Sequence, residues 1–153
     1  MVHAIIDERQ SGKTTLAIDL FLKDQVNTIL VVMNTDVKKN IITEIGDSLQ
    51  PENLKNIKPY HKNILIGNKI NNLVIDEFFY KKDFQLFFKT AKLVANNLYL
   101  IGSMKNKIKD MAFLKTFKGI TISNVESFRE KFYFINEKME KFNKFYEDNL
   151  NEY

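Results

Sequence analysis

A short turn constrains this chain more than any other feature. Residues Asp7–Thr14 read Asp-Glu-Arg-Gln-Ser-Gly-Lys-Thr, between an apolar run, Val2–Ile6, and a segment of helical periodicity from Lys13 to about Leu22. Glycine, lysine and a hydroxyl residue at a strand-to-helix turn form a place for phosphate. Gly12 lets the backbone curl so that successive N–H groups converge on phosphate oxygens. The helix start adds unpaired N–H groups and the positive end of its dipole. Lys13 brings an ammonium to the β- and γ-phosphates, and the Thr14 hydroxyl offers a ligand to Mg²⁺. Gln10, Ser11 and Thr15 complete the expected nucleotide-binding set, Thr15 without an individual role.

The pattern Gly-x4-Gly-Lys-Ser/Thr, the P-loop, is matched at every position except the first, where Asp7 replaces glycine. A carboxylate there repels phosphates unless it points away or pairs with Arg9 or Lys13. A second motif, Asn72-Leu73-Val74-Ile75-Asp76-Glu77, lies about 60 residues on and ends an apolar run in two acids. In that arrangement Asp76 serves the Mg²⁺ shell, and Glu77 orients and polarises the attacking water. Isolated, such a pair reads as a solvated turn; with the upstream loop it points to hydrolysis. A third run, Leu98-Tyr99-Leu100-Ile101-Gly102-Ser103, ends in a small polar residue. Ser103 is a candidate sensor of the γ-phosphate, and a plain turn serine is the equal alternative.

Apolar runs at Val2–Ile6, Asn27–Met33, Leu73–Ile75, Leu98–Ile101 and Ile120–Ile122 predict five short strands, buried on both faces. Helical patterns at Lys13–Leu22, Asp36–Ile45 and Lys82–Asn96 alternate with them. Strand–helix–strand alternation predicts an α/β fold with a mostly parallel, five-stranded sheet. Asp47–Lys69 is polar, holds both prolines and reads as a connection, with a short extra strand at Ile64–Ile66.

The chain of 153 residues suits one domain, with a core over 1–123 and an amphipathic C-terminal helix over 124–153. That helix carries Phe128, Phe132, Ile135, Met139, Phe142 and Tyr146 at alternating spacings of four and three. The stripe either packs on its own domain or docks another subunit. With no cysteine, disulfides and thiolate metal sites are excluded. The N-terminus has no basic segment ahead of an apolar one, and no apolar run nears the ~18 residues of a membrane span. The expected location is therefore the cytoplasm, that of a host if the protein is viral, with no membrane partner. The net charge of +4 is mild and does not by itself establish a nucleic-acid surface. Arginine occurs only at positions 9 and 129.

At Arg9-Gln10-Ser11-Gly12-Lys13-Thr14-Thr15 the sequence resembles the ATPase motor of phage large terminases, whose loops often read Arg-Gln-x-Gly-Lys-Thr/Ser and dispense with the first glycine. Val74-Ile75-Asp76-Glu77 is similar to the Walker B of terminases and helicases, and Leu100–Ser103 to the coupling motif that ends the next strand. The resemblance covers roughly Met1–Ser103. It implies a three-layer RecA-like fold, ATP and Mg²⁺ as ligands, and DNA or another nucleic acid as partner. It also implies Arg9 as a transition-state finger, with Arg129 as the other arginine able to reach a neighbour's nucleotide. Arg129 reads more readily as a surface charge beside Glu126 and Glu130. Neither a terminase nuclease domain nor a second helicase motor lies in these 153 residues. A lone motor of this kind would be completed by other copies or a partner subunit. Ile75-Asp76-Glu77-Phe78-Phe79 is also similar to the Walker B of thymidine kinases, although their cysteine-bound zinc has no counterpart here. A nucleoside kinase and an ATP-dependent assembly subunit therefore stay open as alternatives.

Overall fold

The computed structural model describes residues 1–8, 12–61, 63–65, 69–77 and 84–131. In chain order the elements are β1 (Val2–Ile6), α1 (Lys13–Lys23), β2 (Thr28–Val32), α2 (Thr35–Ile45), β3 (Ile57–Pro59), β4 (Ile70–Asp76), α3 (Phe84–Val94), β5 (Ala95–Gly102), α4 (Lys107–Leu114) and β6 (Thr121–Ser123). Another helix, α5, occupies 125–131 within the described residues. Two 3-10 turns, Gly46–Ser48 and Pro51–Asn56, connect α2 to β3.

The sheet runs β3-β2-β4-β5-β1-β6, and every strand pair in it is parallel. Alternation along the strands divides the apolar side chains between two faces. Ile5, Leu30, Val32, Val74 and Ile101 pack with α1, α2, Val125 and Phe128. Ala4, Val31, Leu73, Ile75, Leu98 and Leu100 pack with α3 and the α4 region, including Phe87, Phe88, Leu114 and Phe117. Helices thus cover both faces in three layers. Phe21 of α1 is fully buried in the first cluster. Phe21→Ala is expected to lower the unfolding free energy in urea by about 3–5 kcal/mol; a loss under about 1 kcal/mol would show that α1 is not packed as described.

Six strands stand where five were expected. The addition is β3, from the stretch read as a connection, with Ile57 opposite Leu30 and Pro59 opposite Val32. Three residues are too few for a visible periodicity. The fully buried Ile57 anchors them, and Pro59 is tolerated at the end of an edge strand. The strand expected at Ile64–Ile66 does not form in its described part. Ile64 and Leu65 lie in a turn, the Ile64 N–H donating to the His61 carbonyl at 3.0 Å, and Ile66 lies outside the described residues.

The pattern over Lys82–Asn96 ran too far in the C-terminal direction. Helix α3 stops at Val94, because Ala95 already pairs with Ile70. Polar residues extend β4 and β5 at this end. Asn72 pairs with Thr28 and Asn97 in register, and the Asn97 amide donates to Asn72 Oδ1 at 3.0 Å. Helix α4 was not anticipated. Its signals are local: Asn106 Oδ1 accepts from the Lys109 N–H at 3.2 Å, and Asp110 Oδ2 accepts from the N–H groups of Lys105 and Asn106. These contacts are a variant of the capping box. Of the C-terminal stripe, Phe128 is buried in the domain's own core; the positions from Phe132 to Tyr146 lie outside the described residues. Among the described residues no helix is long and apolar enough to cross a membrane.

Candidate active site

Because the strands are parallel, their carboxyl ends share one edge. The register sets Ile6 opposite Gly102 and Ile101 opposite Asp76, so the ends of β1, β5 and β4 lie side by side. Such an edge is where open α/β sheets bind ligands. Two backbone bonds carry the ladder past the strand ends: Asp7 N–H to the Gly102 carbonyl at 3.1 Å, and Glu77 N–H to the Ile101 carbonyl at 2.9 Å.

Gly12, the N-cap residue just before α1, has φ +83°, in the left-handed region that glycine enters without a steric cost. Lys13 follows as the first residue of α1. It is buried, and its ammonium donates to the carbonyl of Glu8. The lysine is thereby engaged by a backbone carbonyl five positions before it. Thr14 Oγ1 donates to Asp76 Oδ2 at 3.3 Å, joining residues 62 positions apart. Thr15 is exposed. Arg9, Gln10 and Ser11 lie outside the described residues.

Asp76 is only 5% exposed, and its Oδ1 is buried without a hydrogen-bond partner. Burial first, and then the charge of Glu77, push its carboxyl up to about 6; the Thr14 hydrogen bond and Lys13 oppose the shift. A buried carboxylate with one free oxygen, beside a threonine hydroxyl, fits a hard divalent cation. Mg²⁺ prefers oxygen ligands and takes one or two from protein, the remainder from water and phosphate. Glu77 stands next, half-buried, with φ +66°. For a residue with a Cβ this conformation costs about 1–2 kcal/mol, and such strain concentrates at functional positions. Ser103 is half-buried just past the end of β5, the strand between β1 and β4.

The structure thus brings Gly12, Lys13, Thr14, Asp76, Glu77 and Ser103 to one edge. The guanidinium of Arg129 pairs with Asp19 of α1 in the same chain at 2.9 Å. Both oxygens of Asp7 are engaged by backbone donors, its Oδ2 accepting the Val125 N–H at 3.2 Å and its Oδ1 the Glu8 N–H at 2.9 Å. Sequence reasoning missed Glu8 as the partner of Lys13, Val125 as that of Asp7 and Asp19 as that of Arg129. Of these, only Glu8 is close in sequence. Comparison with protein-family models, with curated proteins and with solved structures gives no match for this chain.

Proposed function

We propose that the chain is a P-loop ATPase of the RecA-like type, in which hydrolysis drives action on nucleic acid, as in a terminase or helicase motor. The contact of Thr14 with Asp76, whose second oxygen is buried and unpartnered, carries this reading. It joins the two motifs on one prospective cation site. The place of β5 between β1 and β4 supports Ser103 as the sensor of the γ-phosphate.

In this scheme Lys13 leaves the Glu8 carbonyl for the phosphates, which also meet N–H groups at the start of α1. Thr14 and Asp76 would hold Mg²⁺, which would supply charge neutralisation on the phosphate oxygens. Glu77 orients a water and accepts its proton as the oxygen attacks the γ-phosphorus and the bond to ADP breaks. Arg9 is the finger that the terminase resemblance implies. The nucleic-acid partner rests on that resemblance, carried by Arg9-Gln10 and the Asp76-Glu77 pair.

The test is phosphate release from ATP by the purified protein, alone and with single-stranded DNA, duplex DNA or RNA, and with Lys13→Ala as control. Stimulation by one polymer is expected, as is loss of nucleotide binding or turnover in Lys13→Ala. Turnover indifferent to every polymer would turn the assignment towards an assembly subunit, and phosphate transfer to a nucleoside towards a kinase. Full activity in Lys13→Ala would overturn the nucleotide site itself.

A further inference from the structure

Asp7 occupies the position where phosphate loops most often carry glycine, and both its carboxylate oxygens are engaged by backbone donors. The donor on Oδ2 comes from far along the chain. Strand β6 pairs with β1 in the register His3 to Thr121, Ala4 to Ile122 and Ile5 to Ser123, which delivers the start of α5 beside Asp7. Asn124 caps α5 by accepting the Ser127 N–H at 2.7 Å, and the Val125 N–H goes to Asp7. Further along, Arg129 holds Asp19 of α1, and Val125 and Phe128 are buried in the cluster that contains Leu16, Ala17 and Phe21. Helix α5 is therefore fastened both to the first residue of the loop and to the helix that the loop feeds.

We infer that Asp7 is a positioning residue that couples nucleotide binding to the docking of α5. The inference rests on the nucleotide-binding reading above. While α5 is docked, the Asp7 carboxylate is turned towards Val125. When α5 leaves, that carboxylate loses its distant donor and keeps only the Glu8 N–H, so its negative charge is less compensated at the base of the phosphate loop. Like charges repel, so the undocked protein binds nucleotide more weakly. Linkage is reciprocal: whatever docking adds to nucleotide affinity, nucleotide adds to docking. Anything that pulls α5 from the sheet becomes a release signal for the nucleotide.

The test measures binding of Mg²⁺·ADP by calorimetry to the full chain, to Val125→Pro and to Val125→Pro with Asp7→Asn. Proline at the first helical position removes the N–H while leaving the helix compatible. Val125→Pro is expected to raise the Kd about 5- to 100-fold, the usual range of coupling between sites, and adding Asp7→Asn should restore most of it by removing the charge. A purely structural effect of the proline would not be rescued. Unchanged affinity in Val125→Pro, or no rescue, overturns the coupling while the nucleotide reading stands. A parent chain that binds no ADP overturns both. Should Val125→Pro fail to fold, hydrogen exchange on the parent decides: ADP is expected to slow the amides of residues 125–131, and exchange unaltered by bound ADP would reject the coupling.

Discussion

At pH 8 and without metal, the Asp76→Asn protein is expected to be about 1–3 kcal/mol more stable than its parent and, under the proposed function, to lack Mg²⁺-dependent ATP hydrolysis. The stability gain follows from where the carboxyl sits. It titrates at about 6 rather than 3.8, because burial and Glu77 both disfavour its charge. A carboxyl raised on folding favours the native state below its unfolded pKa. That contribution is lost as pH rises through the folded value, so the penalty is complete above about pH 7. At ~1.4 kcal/mol per unit of pKa, the full penalty is about 3 kcal/mol. Asparagine keeps the size and the contact with Thr14 but carries no charge. Urea unfolding of both proteins in a chelator, at pH 4 and pH 8, should therefore show a gap that widens with pH. An Asp76→Asn protein less stable than its parent at pH 8, or a gap indifferent to pH, would sink the account. Under the proposed function, the same unfavourable charge is what a divalent cation relieves: Mg²⁺ with nucleotide should stabilise the parent and leave the variant nearly unchanged.

Under the proposed function, Glu77→Gln is expected to reduce kcat for ATP hydrolysis by about 10²–10⁴-fold, the usual contribution of a positioned general base, while nucleotide binds as before. Glutamine keeps the side-chain length and the same left-handed backbone, so thermal unfolding should barely move. The separation of turnover from binding and stability is what identifies a group acting on the reacting water. If Glu77→Gln hydrolysed ATP at the parental rate, the base would have to be another group. If it lost binding as well, Glu77 would be part of the nucleotide cradle.

Much of the fold was legible locally. Val2–Ile6 and the helix from Lys13 to Lys23 were readable because the apolar run, the glycine break and the helical period adjoin one another. Asn34 and Gly46 delimit α2 by contacts within one turn, the Asn34 side chain accepting the Val37 N–H at 2.9 Å. Asp76 and Glu77 were visible as the end of an apolar run. Strand β3 was not, since three residues acquire a strand identity only by pairing with β2. The same holds for Asn71 and Asn72, whose polarity argues against a buried strand until their side-chain partners Asn96 and Asn97 are in place.

The sequence by itself determined an α/β chain with a Gly-Lys-Thr turn between a strand and a helix, a pair of acids at a strand end and the succession of most elements. Each of these follows from propensity, periodicity and caps acting over a few residues. Only the tertiary structure decided that β5 stands between β1 and β4, that Thr14 touches Asp76, that Asp7 accepts from Val125 and that Arg129 pairs with Asp19. These are contacts between residues 62 to 118 positions apart. They depend on which strands lie side by side, and strand order is chosen by the packing of whole faces rather than by any local run.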